Sequence, residues 1–389
     1  MTFLTGKTIL IVSPGEWGKV MVSKHHYAIE LARAGNRVFF INPPVRSGRG
    51  VRIEAVEAHP GIHVVTFSLN VPFALRFHGR RIYEALLRRA VGRVLDRIQA
   101  APDIVWCFDV NSYADLRMFG APLSIFHPVD EISEHQVEVA RSADLCLTVS
   151  ESILRTLRKV NPNSHKISHG LARPFAAAAH RELANLSAAD GAESKPRSPF
   201  TVGYVGNLLI HGLDRPALRR VITGHSDVEF EFWGPFESGD AARYAPGSRE
   251  FVDWLKGRSN VTLHGTHPPE VVAEQMPRCD AFLVCYDRRI EPNQGSNAHK
   301  ILEYLSSGTP VISSHSSEYA DKPGLLEMLG PHDPPECYDA LFAGTLARLS
   351  TLSSSEQKRR RIEFALESTY ERQLARIDSI ILVTVGAKV

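Results

Sequence analysis

Lys300 and Glu303 stand three residues apart within the stretch Glu291 to Ser314, EPNQGSNAHKILEYLSSGTPVISS. Three-residue spacing puts both side chains on one helix face. The neighbouring residues spell a loop, a short helix with Ser296 or Asn297 as N-cap, Gly308 just past its end, and a buried strand opened by Pro310. A helix start offers unpaired N–H groups and the positive end of the macrodipole, so a phosphate beside Gly295, Ser296 and Asn297 meets donors, and Lys300 adds a full charge. Glu303, one turn deeper, only accepts when ionised and suits a vicinal diol such as a ribose. Diphosphate and ribose together make a nucleotide. The competing reading is a solvated Lys–Glu pair worth a few tenths of a kcal/mol, with Gly308 an ordinary C-cap.

The elements that must hold these residues are legible from apolar runs. A strand over 8–13 is followed by the turn Ser13-Pro14-Gly15-Glu16-Trp17-Gly18, a helix from about Ser23 to Ala34, and a strand from Arg37 to Ile41. That β-turn-α-β order predicts a parallel, doubly wound α/β sheet. Further strands are expected at Ile62 to Phe67, Ile104 to Phe108, Leu123 to His127 and Asp144 to Val149. Residues 176–199, rich in Ala, Ser and charge, break the rhythm and read as a linker or exposed insertion between a first domain, 1–175, and a second, 200–365. The pattern then restarts, with strands at Phe200 to Val205, Val228 to Phe232, Val261 to His264, Ala281 to Cys285 and Pro310 to Ser313. Two Rossmann-like β/α/β domains facing across a cleft are predicted, with a C-terminal helix in 366–389 returning towards the first.

At 389 residues the chain can bury two cores, and its 43% hydrophobic and 23% charged content is that of a globular protein. Lys+Arg 45 against Asp+Glu 43 argues against a general nucleic-acid binder, so no nucleic-acid partner is expected. Cys107, Cys146, Cys279, Cys285 and Cys337 form no CxxC pair, and buried reduced thiols suit a cytoplasmic location. The apolar run TILIV near the N-terminus is too short for a signal peptide or a membrane span, so any membrane contact is expected to be peripheral. Residues 76–98 carry seven Arg against Glu84 and Asp96. With Ile82, Leu86, Val91, Val94, Leu95 and Ile98 as an apolar face, this helix either docks on an anionic membrane surface or is a core helix with a charged outer face.

Gly15 and Gly18 are too sparse for a GxGxxG fingerprint, and Asn42-Pro43-Pro44 stands where a nicotinamide enzyme needs an acid, which disfavours a dehydrogenase. His127 ends a predicted strand, where doubly wound folds keep their ligands, and a neutral imidazole there can donate to a sugar hydroxyl. Asp130, the nearest carboxylate, can orient His127 or act as a base. Gly206 and Asn207 form the strand-to-helix turn at which a diphosphate meets backbone N–H groups. Trp233 reads as core packing. No HExxH or DxD-type pair accompanies the 17 histidines, so no metal is expected.

The string HKILEYLSSGTPVISS resembles the donor-binding signature of GT-B glycosyltransferases related to glycosyltransferase family 4 (group 1). The resemblance implies that Glu303 binds the ribose of a nucleotide sugar, that His127 contacts the donor sugar, and that the Gly15, Trp17 and Gly18 loop lies near acceptor and donor phosphates. It also implies that the strand end carrying Gly234 lines the base. Many members carry a second Glu eight positions earlier, where this chain has Gly295, the nearest upstream acid being Glu291. The expected activity is transfer of a sugar from a UDP- or GDP-linked donor to a hydroxyl of a glycan or lipid-linked acceptor, with retention and without a metal, Lys300 offsetting the leaving charge. Polysaccharide or glycoconjugate synthesis is the expected setting. A GT-B-fold sugar-nucleotide epimerase or hydrolase, or an inactive homologue serving as a partner subunit, are the alternatives.

Overall fold

Runs such as Ile9-Leu10-Ile11-Val12, apolar at every position, satisfy burial only in a sheet covered on both faces. In the computed structural model they form two such sheets. The structure describes all residues except 1–2, 19–20, 47, 49, 73–74, 134–135, 189–198, 238–244, 291–296 and 387–389. The chain divides into two compact units, Met1–Gly170 with Tyr370–Val389, and Leu171–Thr369.

The first unit holds β1 (Thr8–Val12), β2 (Arg37–Ile41), β3 (Val51–Ala55), β4 (Ile62–Phe67), β5 (Ile104–Cys107), β6 (Leu123–Phe126), β7 (Leu145–Thr148) and β8 (Ser164–Lys166). Their spatial order is β3-β4-β2-β1-β5-β6-β7-β8. All pairs are parallel except β3 with β4. The C-terminal helix Tyr370–Gly386 belongs here, and buried Asp378 accepts the N–H groups of Phe3 at 3.0 Å and Leu4 at 2.7 Å.

The second unit holds β9 (Phe200–Val205), β10 (Val228–Trp233), β11 (Val261–Gly265), β12 (Ala281–Val284), β13 (Val311–Ser313) and β14 (Glu327–Met328), ordered β11-β10-β9-β12-β13-β14. The chain runs outward from β9 to β11 and then returns to β12 on the other side of β9. This reversal is the switch point at which doubly wound sheets bind ligands.

Of the segment 176–199, expected as a linker or exposed insertion, residues 176–188 continue the helix Arg173–Ala188, and 189–198 lie outside the described residues. Phe175 and Ala179 are buried, and the helix packs on Pro269–Gln275, Lys300–Ser306 and Ser355–Leu366. Its alanines read as low complexity, yet alanine is the strongest helix former and its methyl allows close helix packing. The helix Arg80–Ile98 buries Tyr83, Leu87, Ala90, Val91, Val94 and Ile98, so its inward face is rotated from the expected one and Ile82 stands 59% exposed.

Packing also fixes the end of the helix Lys300–Ser306. Gly308 adopts φ 74° beyond it, and the guanidinium of Arg361, 1% exposed, donates to the Gly308 carbonyl at 2.7 Å and to Leu352 O at 2.8 Å. Burial pulls the Arg361 pKa down to about 10, which still leaves it charged at neutral pH. Arg361→Ala removes both charge-assisted bonds and leaves buried carbonyls without donors. The expected cost is about 3 kcal/mol, seen as a lowered midpoint in scanning calorimetry. An unchanged midpoint would show that Arg361 does not hold this helix end.

Candidate functional site

Carboxyl ends of β9, β10 and β12 converge on one point in the second unit. Tyr304, fully buried on the Lys300–Ser306 helix, pins that helix to the end of β9, its hydroxyl accepting from Val205 N at 2.7 Å and donating to Val205 O at 3.0 Å. Lys300, one turn earlier and 5% exposed, donates from Nζ to the Tyr204 hydroxyl at 3.3 Å. The same ammonium lies 4.4 Å from the Tyr204 ring centroid and 5.3 Å from that of Tyr286. Burial works against its charge, but the phenol oxygens of Tyr204, Tyr286 and Tyr304 outweigh that and hold its pKa well above the usual lysine value.

Two glycines make room for this arrangement. A Cβ on Gly206, which adopts φ 154°, would lie 2.5 Å from Lys300 Nζ, and a Cβ on Gly234, at φ 131°, would lie 2.2 Å from the Gly206 carbonyl oxygen. Both N–H groups are already committed, Gly206 to Trp233 O at 2.8 Å and Gly234 to Gly265 O at 2.7 Å. The Gly206 N–H is thus spent within the sheet and not left for a diphosphate, and the absence of a Cβ at Gly206 and Gly234 lets the two turns approach closely. Asn207 is exposed, and its N–H makes no hydrogen bond among the described residues, while its Oδ1 accepts from Leu209 N at 2.8 Å.

Glu303 is partly buried on the same short helix as Lys300. Burial pushes its pKa up to about 7 despite the opposing charge of Lys300. Among the described residues no donor or cation pairs with its carboxylate. The helix begins at Lys300, with His299 in the N-cap position, and not at Ser296 or Asn297. Three-residue backbone bonds, Ile301 N to Ala298 O at 3.0 Å and Leu302 N to His299 O at 3.2 Å, tighten the entry and delay regular helix. Asn297 is half-buried ahead of that turn, and Gly295, Ser296 and Glu291 lie outside the described residues. Arg215 is turned inward, donating to Leu208 O at 3.2 Å and Ile210 O at 2.6 Å. Trp233, 4% exposed, stacks on His264 at 4.7 Å, as core packing requires.

In the first unit, His127 follows β6 and is 0% exposed. Its Nδ1 accepts from Trp106 Nε1 at 3.3 Å, its ring stacks on Phe108 at 4.9 Å, and burial pulls its pKa down to about 3. Asp130 is exposed and makes no hydrogen bond to His127 among the described residues; the hydrogen bond that orients the imidazole comes from Trp106. Trp17 N donates to Asn42 Oδ1 at 2.9 Å, and its ring packs on His25 at 5.3 Å and Phe40 at 5.0 Å. Asn42 thus anchors the first loop where a dinucleotide enzyme would hold a ribose. Neither Gly15 nor Gly18 has a positive φ, and an added Cβ would meet only ordinary contacts, Lys24 Nζ at 3.6 Å from Gly15 and Glu16 O at 4.0 Å from Gly18.

Lys24 and Asp109 were not singled out from the sequence. Burial lowers the Lys24 pKa, opposed by the charges of Asp130 and Asp109. Asp109, 1% exposed at the end of β5, accepts from Asn111 N at 2.7 Å and Ser112 N at 3.0 Å. Its place just past a buried strand was the available signal.

No family model and no curated protein matches the chain. Solved structures do. Sucrose-phosphate synthase from Thermosynechococcus elongatus superposes with TM-score 0.66 at 13% identity, spanning 98% of this chain and 100% of that one. The UDP-forming α,α-trehalose-phosphate synthase from Burkholderia vietnamiensis gives 0.66 at 12% identity over 99% of each chain. Anabaena HepE in complex with UDP and glucose gives 0.62 at 14%, over 96% of this chain and 99% of that one. The chain has the GT-B fold. At such identities the likeness is one of architecture, and within this GT-B chain Lys300 stands at the switch point of the second unit, against Tyr204 of β9 and Tyr286 just past β12.

Gly234→Ala should force the backbone of Gly206 away from Lys300, because the new Cβ has no flexible neighbour to displace. We expect a loss of about 2 kcal/mol in stability, read by thermal melting. Wild-type melting would show that the two turns part without cost.

Proposed function

We propose that this chain is a glycosyltransferase that moves a sugar from a UDP- or GDP-linked donor to a hydroxyl of a glycan or lipid-linked acceptor. The observation that carries the reading is a buried ammonium at the ends of β9 and β12, followed three residues on along the same helix by a carboxylate that lacks a partner among the described residues. Lys300 would meet the diphosphate and stabilise its charge as it leaves, the kind of preorganised electrostatic effect that dominates such catalysis. Glu303 would accept from the ribose hydroxyls. UDP in the HepE complex supports a nucleoside diphosphate as the group bound. No metal is required in this reading, and configuration is retained, with cell-surface polysaccharide or glycoconjugate synthesis as the setting.

Calorimetric titration with UDP, GDP and ADP at pH 8 tests it. One nucleotide should bind, and Glu303→Ala should weaken it by about 1.5–3 kcal/mol for a lost charged hydrogen bond. Unchanged affinity in the variant removes the ribose role. Glu303 must be ionised to accept both hydroxyls, whereas the free protein protonates it below about pH 7. Binding therefore lowers its pKa and releases a proton. Affinity should fall by about tenfold per pH unit below 7, and Glu303→Gln should flatten that dependence.

The acceptor side of the proposal includes an anionic membrane surface on the cytoplasmic face. Among the described residues no helix is long and apolar enough to cross a membrane. Arg81, Arg89, Arg93 and Arg97 are exposed along one four-residue ridge of the helix Arg80–Ile98 and form no ion pair among the described residues. Like charges so spaced destabilise a helix unless an anion covers them, and each contributes about 1 kcal/mol beside an anionic bilayer. The protein should float with phosphatidylglycerol-containing vesicles and not with phosphatidylcholine alone. Retention of binding in an Arg89→Glu, Arg93→Glu double variant would exclude this surface.

A further inference from the structure

We propose that Trp106 is a positioning residue that fixes the proton of His127 on Nε2, so that His127 serves as a hydrogen-bond donor to a hydroxyl oxygen and not as a base. An indole N–H can only donate. Trp106 Nε1 lies 3.3 Å from His127 Nδ1, so that nitrogen must present its lone pair, and the single proton of a neutral imidazole is left on Nε2. An imidazolium would set a second N–H against the indole N–H. Burial and the neighbouring His169 also keep the ring neutral, with a pKa of about 3.

The resulting donor is not used by the protein. His127 Nε2 is buried and finds no acceptor among the described residues, and the Tyr27 hydroxyl in the same ring cluster is likewise buried without a partner. The Tyr27 ring lies 5.5 Å from that of His127 and 5.2 Å from that of Trp106. Each unmet buried donor costs about 1–3 kcal/mol, so two within one ring cluster fit a guest that brings oxygen atoms. Proton transfer from an acceptor hydroxyl to His127 is closed off at both nitrogens, since Nδ1 is occupied and Nε2 already carries its proton. That the oxygen belongs to a sugar rests on the glycosyltransferase reading above; the tautomer does not.

Histidine-selective 15N labelling of the full chain tests the tautomer without ligand. The His127 signals are those that vanish in His127→Gln. Long-range 1H–15N spectra should show the Nε2–H form unchanged from pH 5 to 8, and an Nδ1–H form or an imidazolium in that range overturns the proposal. In Trp106→Phe, with folding verified by melting, the second tautomer should appear; an unchanged tautomer overturns the role of Trp106. Turnover of UDP-, GDP- and ADP-glucose supplies the donor test. With whichever is used, His127→Gln, which keeps a donor, should retain kcat/KM within roughly tenfold, and His127→Leu should lose roughly a hundredfold. Equal losses overturn the donor role. Absence of turnover with every donor counts against the glycosyltransferase reading alone, because the spectra report on His127 independently.

Discussion

A lysine ammonium withdrawn from water is the constraint on which the second unit depends. Lys300 is 5% exposed, and an uncompensated charge at that depth would unfold the site or lose its proton. Compensation comes from the Tyr204 hydroxyl and from the ring faces of Tyr204 and Tyr286, and these are in place only because β9 and β12 are neighbours. The ammonium fits only because Gly206 has no Cβ, and Gly206 can bend as it does only because Gly234 has none either. Tyr304 then locks the helix to β9 from one side, and Arg361 holds its far end through Gly308.

Most of this scaffold was legible in the sequence because buried parallel strands must be apolar at every position. The expected strands of both sheets lie within a residue or two of those observed. What escaped was short or polar: β3 alternates Arg52 and Glu54 with apolar residues at a sheet edge, β8 is Ser164–Lys166, and β14 has two residues. The helix Arg173–Ala188 escaped for a different reason, since alanine-rich sequence does not reveal whether a partner surface exists to cover it.

The site was legible in residue type and spacing but not in direction. Lys300 and Glu303 share a face as three-residue spacing demands, yet nothing in that spacing says that the ammonium turns inward onto Tyr204. Gly206 and Gly234 stood out as strand-end glycines, and only coordinates show that their N–H groups are spent on Trp233 and Gly265. Asn42 was read only as a departure from the acid that a nicotinamide enzyme needs, while its work in holding Trp17 depends on a loop-to-strand contact that no local pattern encodes.

Desolvation sets the protonation states in both units, and it acts in opposite directions on acids and bases. It drives His127 to about 3 and His25 to about 4, so both imidazoles are neutral at any physiological pH and can act only as hydrogen-bonding groups. The same effect lifts Glu303 to about 7, leaving a carboxylate whose charge is balanced against its proton under cellular conditions. A ligand that donates to Glu303 tips that balance with little energy, whereas a ligand asking His127 to take up a proton would have to overcome burial and the Trp106 hydrogen bond together. Under the proposed function, charge building on the leaving group is met by Lys300, and neither buried histidine is called on to ferry protons.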